Sequence, residues 1–161
     1  MPPTYLIDIL AEAHGSVKVD VYTSAAWVRR LSNNPVFTKS GSSVTSWVPA
    51  DMLPALFEKH DCLLSIGELP GKQLSSKIFG YMASGKPIVH IYHTDDDANL
   101  PYLAKYPLAL TIKDDESKLP ENASRLCRFL LWARGKKLDF DVVSETMSEC
   151  TPEAVCLELV M

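Results

Sequence analysis

The chain has 161 residues, 47% of them hydrophobic, which is enough to bury one sizeable core. A formal net charge of -4 and a pI near 5.5 exclude the broad basic field that nucleic acid or anionic membranes attract, so no nucleic-acid partner is expected. The sequence has no run of about 18 apolar residues and no basic-then-apolar N-terminus, so we predict no membrane span, no signal peptide and no membrane insertion by this segment.

The first 60 residues alternate between helical and strand patterns. Apolar residues at helical spacing predict a helix over residues 5–13 that ends near His14 and Gly15, and alternation predicts a strand over residues 17–22. A doubly wound domain normally opens on a strand, so we expect its first strand to precede this chain. The remaining predictions are a short helix over Ala25–Leu31, a polar loop over residues 32–43, a strand over residues 44–48 and a helix over residues 49–59.

The stretch over residues 61–92 is the most informative part of the chain. A short apolar run at residues 62–66 ends at Gly67 and is too uniformly apolar for an amphipathic helix. It predicts a parallel strand that is covered on both faces. A loop over residues 68–74 follows.

The next elements predict a helix and a second strand. Ser75 or Ser76 is expected to cap the helix, and Gly85 and Pro87 end it before a strand at Ile88–Tyr92. A strand, a crossover helix and a parallel strand bring the helix N-terminus to the carboxyl end of the sheet. Open α/β folds bind ligands at this end, and the unpaired helix amides favour phosphate there.

The last third of the chain continues the alternation. After Tyr92 the predictions are an acidic turn at Asp95, Asp96 and Asp97, a helix over residues 98–105, a strand over residues 108–112, a charged loop over residues 114–117, a helix over Leu119–Ala133 and closing helices over residues 140–150 and 152–159. This order predicts an α/β fold with a Rossmann-like, doubly wound parallel sheet. We expect one domain over residues 1–161.

The four cysteines carry no metal or disulfide pattern. Cys62, Cys127, Cys150 and Cys156 form no CxxC pair and have no histidine at ligand spacing. We therefore expect no metal, reduced thiols and a cytoplasmic protein.

Residues 76–90, SKIFGYMASGKPIVH, resemble the SKIFEYMAxGKPIIH signature of glycosyltransferase family 4-like enzymes of the two-domain GT-B fold. The preceding DCLLSIG at residues 61–67 looks like the strand before this signature, and TPEAV at residues 151–155 also fits. The resemblance implies the C-terminal, donor-binding half of an enzyme that transfers a sugar from a nucleotide diphosphate sugar, with a UDP-sugar as the expected donor. The N-terminal, acceptor-binding half would lie outside these residues, so this chain is expected to bind a donor without catalysing transfer. No catalytic residue is assigned.

The helix start supplies the groups that a diphosphate needs. Amides of Leu74, Ser75 and Ser76 can donate to it, Lys77 can add charge, and Gly71 lets the backbone approach closely. Each charge-assisted hydrogen bond contributes roughly 1.5 to 3 kcal/mol. The alternative is an ordinary helix cap followed by a solvated lysine. With Glu68 as the one nearby acid, the candidate donor-binding residues are Glu68, Gly71, Leu74, Ser75, Ser76 and Lys77.

Two positions depart from the resemblance. Family 4-like enzymes have two glutamates eight residues apart, and the second holds the ribose hydroxyls; here these positions are Lys72 and Gly80. Losing such a carboxylate costs about 2 kcal/mol, or about thirtyfold in affinity. Three interpretations follow: a divergent enzyme that uses Glu68 or a main-chain contact, a transferase with another geometry around the ribose, or a non-catalytic module for nucleotide sensing or protein contacts. Gly80 itself indicates relaxed function or close packing against a neighbour.

Other candidate residues have a functional and a structural interpretation, and the structural one is favoured for each. His90 is expected to be a hydrogen-bonded core histidine, and His93, at the strand end, either faces a ligand or is solvated. Arg29 and Arg30 are expected at the surface rather than in contact with donor phosphates, and Trp47 is expected in the core rather than against a nucleobase. Asp95–Asp97 are expected to form a solvated turn, and Cys62 is expected to be a small core side chain.

Overall fold

The structure is a computed structural model that describes residues 4–68 and 72–148. The chain forms two compact units, one of residues 1–59 and 114–132 and the other of residues 60–113 and 133–161. Each unit contains helices and a parallel sheet.

The first unit contains a two-stranded parallel sheet. Its strands pair from Asp20 opposite Ser43 to Thr23 opposite Ser46. Buried Tyr5, Leu6, Ile9 and Leu10 give the first helix its inner face. The elements of this unit are α1 (Thr4–Glu12), β1 (Asp20–Thr23), α2 (Ala25–Leu31), α3 (Pro35–Ser40), β2 (Ser43–Ser46), α4 (Leu53–Glu58) and α7 (Leu119–Ala133), with short 3-10 turns at Ala50–Met52 and Glu116–Lys118.

The prediction of a loop over residues 32–43 is wrong, because α3 lies within it. Asn34 caps this helix, since its Oδ1 accepts a hydrogen bond from the Val36 N–H at 2.9 Å. Pro35 takes the first helical position, and Gly41 ends the helix with a φ of 68°. Phe37 is 1% exposed and anchors α3 in the core. Local start and stop signals and one buried aromatic side chain are enough for this six-residue helix.

Further boundaries in the first unit differ from prediction, since the helix predicted over residues 5–13 is Thr4–Glu12 and the strand predicted over residues 44–48 is Ser43–Ser46. The strand predicted over residues 17–22 begins only at Asp20. The helix predicted over residues 49–59 is a 3-10 turn followed by α4, and neither buries a residue fully. Proline at position 54 stands at the start of α4, where its missing N–H costs nothing.

The second unit contains a three-stranded parallel sheet in the order β3-β4-β5. Ser65, His90 and Thr111 are cross-strand neighbours at its middle. A buried cluster that includes Ile78, Met82, Ile88 and Leu103 packs helices on the sheet. The elements are β3 (Leu63–Ile66), α5 (Ser76–Ala83), β4 (Ile88–Tyr92), α6 (Leu100–Lys105), β5 (Ala109–Lys113) and α8 (Phe140–Thr146).

The predicted fold class is confirmed at the level of an α/β fold with parallel sheets. The described residues form two small sheets and not one continuous doubly wound sheet. Three elements, α2, β4 and α7, have the predicted bounds. The closing helix predicted over residues 152–159 lies outside the described residues, and one domain over residues 1–161 stays a prediction.

Candidate functional site

The candidate site lies at the carboxyl end of the sheet β3-β4-β5. The α5 helix follows β3 and leads back to the amino end of the parallel strand β4. Its N-terminus therefore lies at the end of the sheet that the sequence predicts. Gly67 and Glu68 leave β3 at this edge, and the segment over residues 93–99 leaves β4 there.

The predicted donor-binding residues have different environments. Ser75 occupies the N-cap position of α5, as predicted, but its hydroxyl makes no capping hydrogen bond. Ser76 and Lys77 begin the helix with exposed side chains, so both are accessible to a ligand. Of the other predicted residues, Glu68 and Leu74 are exposed, and Gly71 lies outside the described residues.

Asn99 binds the start of α5. Its Oδ1 accepts a hydrogen bond from the Ser75 N–H at 3.0 Å, across 24 positions of the chain. Asn99 is 2% exposed, so this bond is shielded from water. One of the amides predicted to bind a diphosphate is therefore already bonded to a side chain, and an anion would compete with Asn99 for it.

Asp97 fixes Asn99 and also binds the core of the sheet. Its Oδ1 accepts from both the backbone N–H and the Nδ2 of Asn99, at 2.8 Å each. Its Oδ2 lies 3.3 Å from Nε2 of His90 in β4. Both Asp97 and His90 are buried, at 2% and 0% exposure. The chain His90, Asp97, Asn99, Ser75 thus connects the middle of the sheet to the helix start, and we call it the buried polar chain.

Asp97 corrects one prediction, and His90 confirms another. Asp95 and Asp96 are exposed, as expected of a solvated turn, but Asp97 is a buried hydrogen-bond acceptor. The reason is the loop geometry, which turns Asp97 back over the end of β3. A Cβ atom on Gly67 would collide with Asp97 Oδ2, so glycine makes room for this carboxylate. His90 is the hydrogen-bonded core histidine that the sequence predicts.

Burial favours the neutral form of His90. Desolvation lowers the pKa of His90 below its ordinary value of 6.5, with Asp97 opposing this shift and His93 adding to it. Neutral imidazole has one N–H, and Asp97 can only accept, so we assign that proton to Nε2. Nδ1 has no hydrogen-bond partner among the residues that the structure describes. A second proton on the ring would therefore be buried without an acceptor.

Stability is expected to fall as the pH is lowered through about 6.5. At such a pH, His90 takes up a proton in the unfolded chain but not in the folded chain, because folding lowers the pKa of His90. The free energy of unfolding falls by at most about 1.4 kcal/mol per pH unit, and the fall ends below the pKa that His90 has in the folded chain. Urea unfolding of the parent chain and of His90→Gln between about pH 8 and pH 5 measures it, since glutamine can still donate to Asp97 and does not titrate. Parallel pH profiles of the two proteins would contradict the assignment.

No protein-family model, curated protein or solved structure matches this chain. What the site binds must therefore be inferred from its own residues.

The helix start offers groups suited to an anion. The first amides of an α-helix lack partners within the helix, and the N-terminus of α5 carries a partial positive charge. The hydroxyl of Ser76 and the ammonium group of Lys77 lie in the first turn and are exposed. At the end of β5, Lys113 Nζ is paired with Asp95 Oδ2 at 2.6 Å, so that cation is already engaged.

The described residues contain no group of three or more His, Cys, Asp or Glu side chains that could hold a metal ion. Burial raises the pKa of Cys62 to about 12, so its thiol stays protonated at neutral pH. Cys62 is half-buried beside β3, so it borders the core and is not the fully buried side chain that the sequence predicts.

The remaining predictions have mixed outcomes. Trp47 is 68% exposed, so its predicted core position is wrong: it follows β2, whose last two residues are also exposed. Arg29 and Arg30 are on the surface, as predicted, and Arg30 lies 5.2 Å from the ring centre of Trp27. His93 is half-buried beyond the end of β4.

Gly80 is not required by packing. It lies on the exposed side of α5, and a Cβ atom added there would meet no described atom within 4 Å beyond the helix's own backbone. Close packing against a described residue, one of the two explanations for this glycine, is therefore wrong. Lys72, at the other altered position, is also exposed. Both positions could carry glutamate without disturbing the core.

The sequence does not predict the buried polar chain, although it contains one signal. Asp97 and Asn99 stand two residues apart just before a helix with proline at its second position, a pattern typical of side chains that bond the local backbone. That signal explains the bond from Asp97 to the Asn99 N–H. It contains nothing about Ser75 or His90.

Proposed function

We propose that this chain is the donor-binding domain of a GT-B glycosyltransferase, with a Rossmann-like fold that binds a nucleotide diphosphate sugar, in the cytoplasm. One observation carries the proposal: the motif over residues 76–90 forms a helix, a turn and a strand, and its helix begins at the carboxyl end of a parallel sheet. This placement is the one at which α/β folds bind phosphate. A nucleic-acid partner is not proposed. The acceptor would be bound by a separate N-terminal domain, so transfer needs both.

The proposed donor site uses the first turn of α5. The diphosphate would lie against the amides and hydroxyl of Ser76, with Lys77 supplying the opposite charge. Glu68 leaves β3 at the same edge and is the nearby carboxylate that could accept the ribose hydroxyls. Asn99 holds the Ser75 amide, which orients the helix start before a ligand arrives.

Titration calorimetry with UDP, GDP and their sugars tests this site. We expect UDP and UDP-sugars to bind in the micromolar range, about −8 kcal/mol, and no sugar transfer by this chain alone. Replacing Ser76 and Lys77 by alanine should weaken binding about tenfold or more for each side chain, because each removes a charge-assisted contact. Lys39→Ala, at an exposed lysine in α3, is the matched control and should bind like the parent chain. Millimolar or absent binding to every nucleotide would overturn the donor-site proposal.

A second candidate function is a non-catalytic module that keeps a weakened nucleotide pocket for sensing or for protein contacts. The observation that favours it is Gly80 in open space, because nothing in the packing requires a glycine there. Gly80→Glu separates the two candidates. A gain of about thirtyfold in nucleotide affinity over Gly80→Ala, which controls for helix propensity, would favour the weakened pocket. If the parent chain already binds nucleotide tightly and Gly80→Glu has the same affinity as Gly80→Ala, a transferase that holds the ribose in another way would be favoured.

A further inference from the structure

The outer face of α7 combines exposed apolar side chains with positive charge. Leu131 and Trp132 are 75% and 51% exposed, although both are large hydrophobic residues. Arg128 is exposed three and four positions earlier, so the three side chains lie on one side of the helix. We call Arg128, Leu131 and Trp132 the basic-apolar face. It is independent of the proposed donor site.

The opposite face of α7 already forms the core of its unit. Ala123 and Leu126 are 4% and 5% exposed. Asn122 is 2% exposed, and its Nδ2 donates a hydrogen bond to the Tyr5 hydroxyl of α1 at 2.9 Å. The helix cannot turn to bury Leu131 and Trp132 without exposing these residues. Leu131 and Trp132 therefore keep their exposed surface, although the Trp132 ring lies 5.7 Å from the ring of Phe129.

Charge identifies the kind of partner. The segment over residues 125–137 has five basic residues and no acidic one, a local charge of +5 in a chain whose net charge is -4. Arg128, and Arg134, Lys136 and Lys137 further along the chain, are exposed. Tryptophan and leucine beside several basic residues are typical of helices that lie in the headgroup region of an anionic bilayer. No described helix is long and apolar enough to cross a membrane.

We propose that the basic-apolar face docks on an anionic membrane surface. Contrary to the expectation of no membrane insertion, Leu131 and Trp132 enter the boundary between headgroups and acyl chains, while Arg128 binds lipid phosphate or carboxylate. The helix axis lies in the plane of the membrane, because the opposite face stays packed in the protein. Binding is peripheral and reversible, and it depends on both the apolar contact and the charge.

Flotation of the full chain with vesicles tests the proposal. We expect binding to phosphatidylcholine vesicles with about 30% phosphatidylserine, at least about tenfold weaker binding to pure phosphatidylcholine, and release in high salt. Arg128→Gln should weaken binding about fivefold. The double change Leu131→Ser with Trp132→Ser should weaken it at least about tenfold, because it removes most of the apolar contact. The side chains are exposed, so circular dichroism should show an unchanged fold.

Two matched controls use exposed residues elsewhere. Trp47→Ser removes another exposed tryptophan and Arg29→Gln another exposed arginine, and both proteins should bind vesicles like the parent chain. Equal loss in these controls, or no difference between anionic and neutral vesicles, would overturn the proposal. A second result would also overturn the proposal: the chain does not bind vesicles but forms a dimer, and the double change Leu131→Ser with Trp132→Ser dissociates that dimer. The partner of this face would then be a second copy of the chain.

Discussion

Replacing Asp97 by alanine is expected to lower the free energy of unfolding by about 3 to 5 kcal/mol. The carboxylate accepts from the Asn99 N–H, the Asn99 side chain and His90, all three in buried surroundings. Alanine would leave these donors without an acceptor, and each unsatisfied buried group costs about 1 to 3 kcal/mol. Denaturant unfolding followed by circular dichroism measures the loss.

The neighbouring acidic residue provides the control. Asp96→Ala changes an exposed carboxyl in the same turn, so its unfolding midpoint should stay close to that of the parent chain. Asp97→Asn keeps one acceptor oxygen and the shape of the side chain, and it should cost less than Asp97→Ala. If Asp97→Ala and Asp96→Ala unfold alike, Asp97 is not the centre of the buried polar chain.

The sequence predicts those elements whose signals are local. The bounds of α7 follow from an apolar stripe in which Leu126 and Ala133 are indeed buried, and β4 follows from an uninterrupted apolar run. The short helix α3 escapes prediction, because a six-residue element with one buried residue gives almost no periodicity. Its cap residues Asn34 and Gly41 are the available signal.

The two sheets show where local patterns stop being informative. Each strand of β1-β2 and β3-β4-β5 lies near its predicted place, but which strands pair depends on contacts between residues far apart in the chain. Alternation of strands and helices is compatible with one continuous sheet or with two. The parallel direction of both sheets is predictable, since each pair of strands is joined through helices.

The candidate site divides in the same way. The start of α5 at Ser75 is predictable, because a strand, a loop and a motif determine it within a few residues. Its partner Asn99 is 24 positions away and follows a different strand, so no local pattern relates the two.

The positive segment over residues 125–137 is also easily overlooked, because the net charge of -4 hides a local excess of basic residues.

The motif over residues 76–90 contains glycines with different roles, which limits what the resemblance implies about activity. Gly80 has open space around it, whereas Gly85 has a φ of 72° and faces the backbone of Leu138. The Leu138 N–H donates to the Gly85 carbonyl at 2.9 Å. Gly85 therefore serves the fold, because it ends α5 and lets the segment before α8 approach. A match at Gly85 reflects the fold, and only the residues at the helix start would bear on the proposed donor binding.

Gly85→Ala is accordingly expected to destabilise the protein by about 2 to 4 kcal/mol. A positive φ costs a non-glycine residue about 1 to 2 kcal/mol, and the new methyl group would collide with the Leu138 carbonyl, so the bond between the two segments must stretch or break. Gly135→Ala isolates the cost of the positive φ, because Gly135 has a φ of 71° and a methyl group there would meet no described atom within 4 Å. Gly135→Ala should lower the free energy of unfolding by only about 1 to 2 kcal/mol. Urea unfolding of both variants and of the parent chain measures the two losses. Equal losses in both variants would show that the approach of Leu138 contributes nothing, and the motif glycine would then be explained by backbone conformation alone.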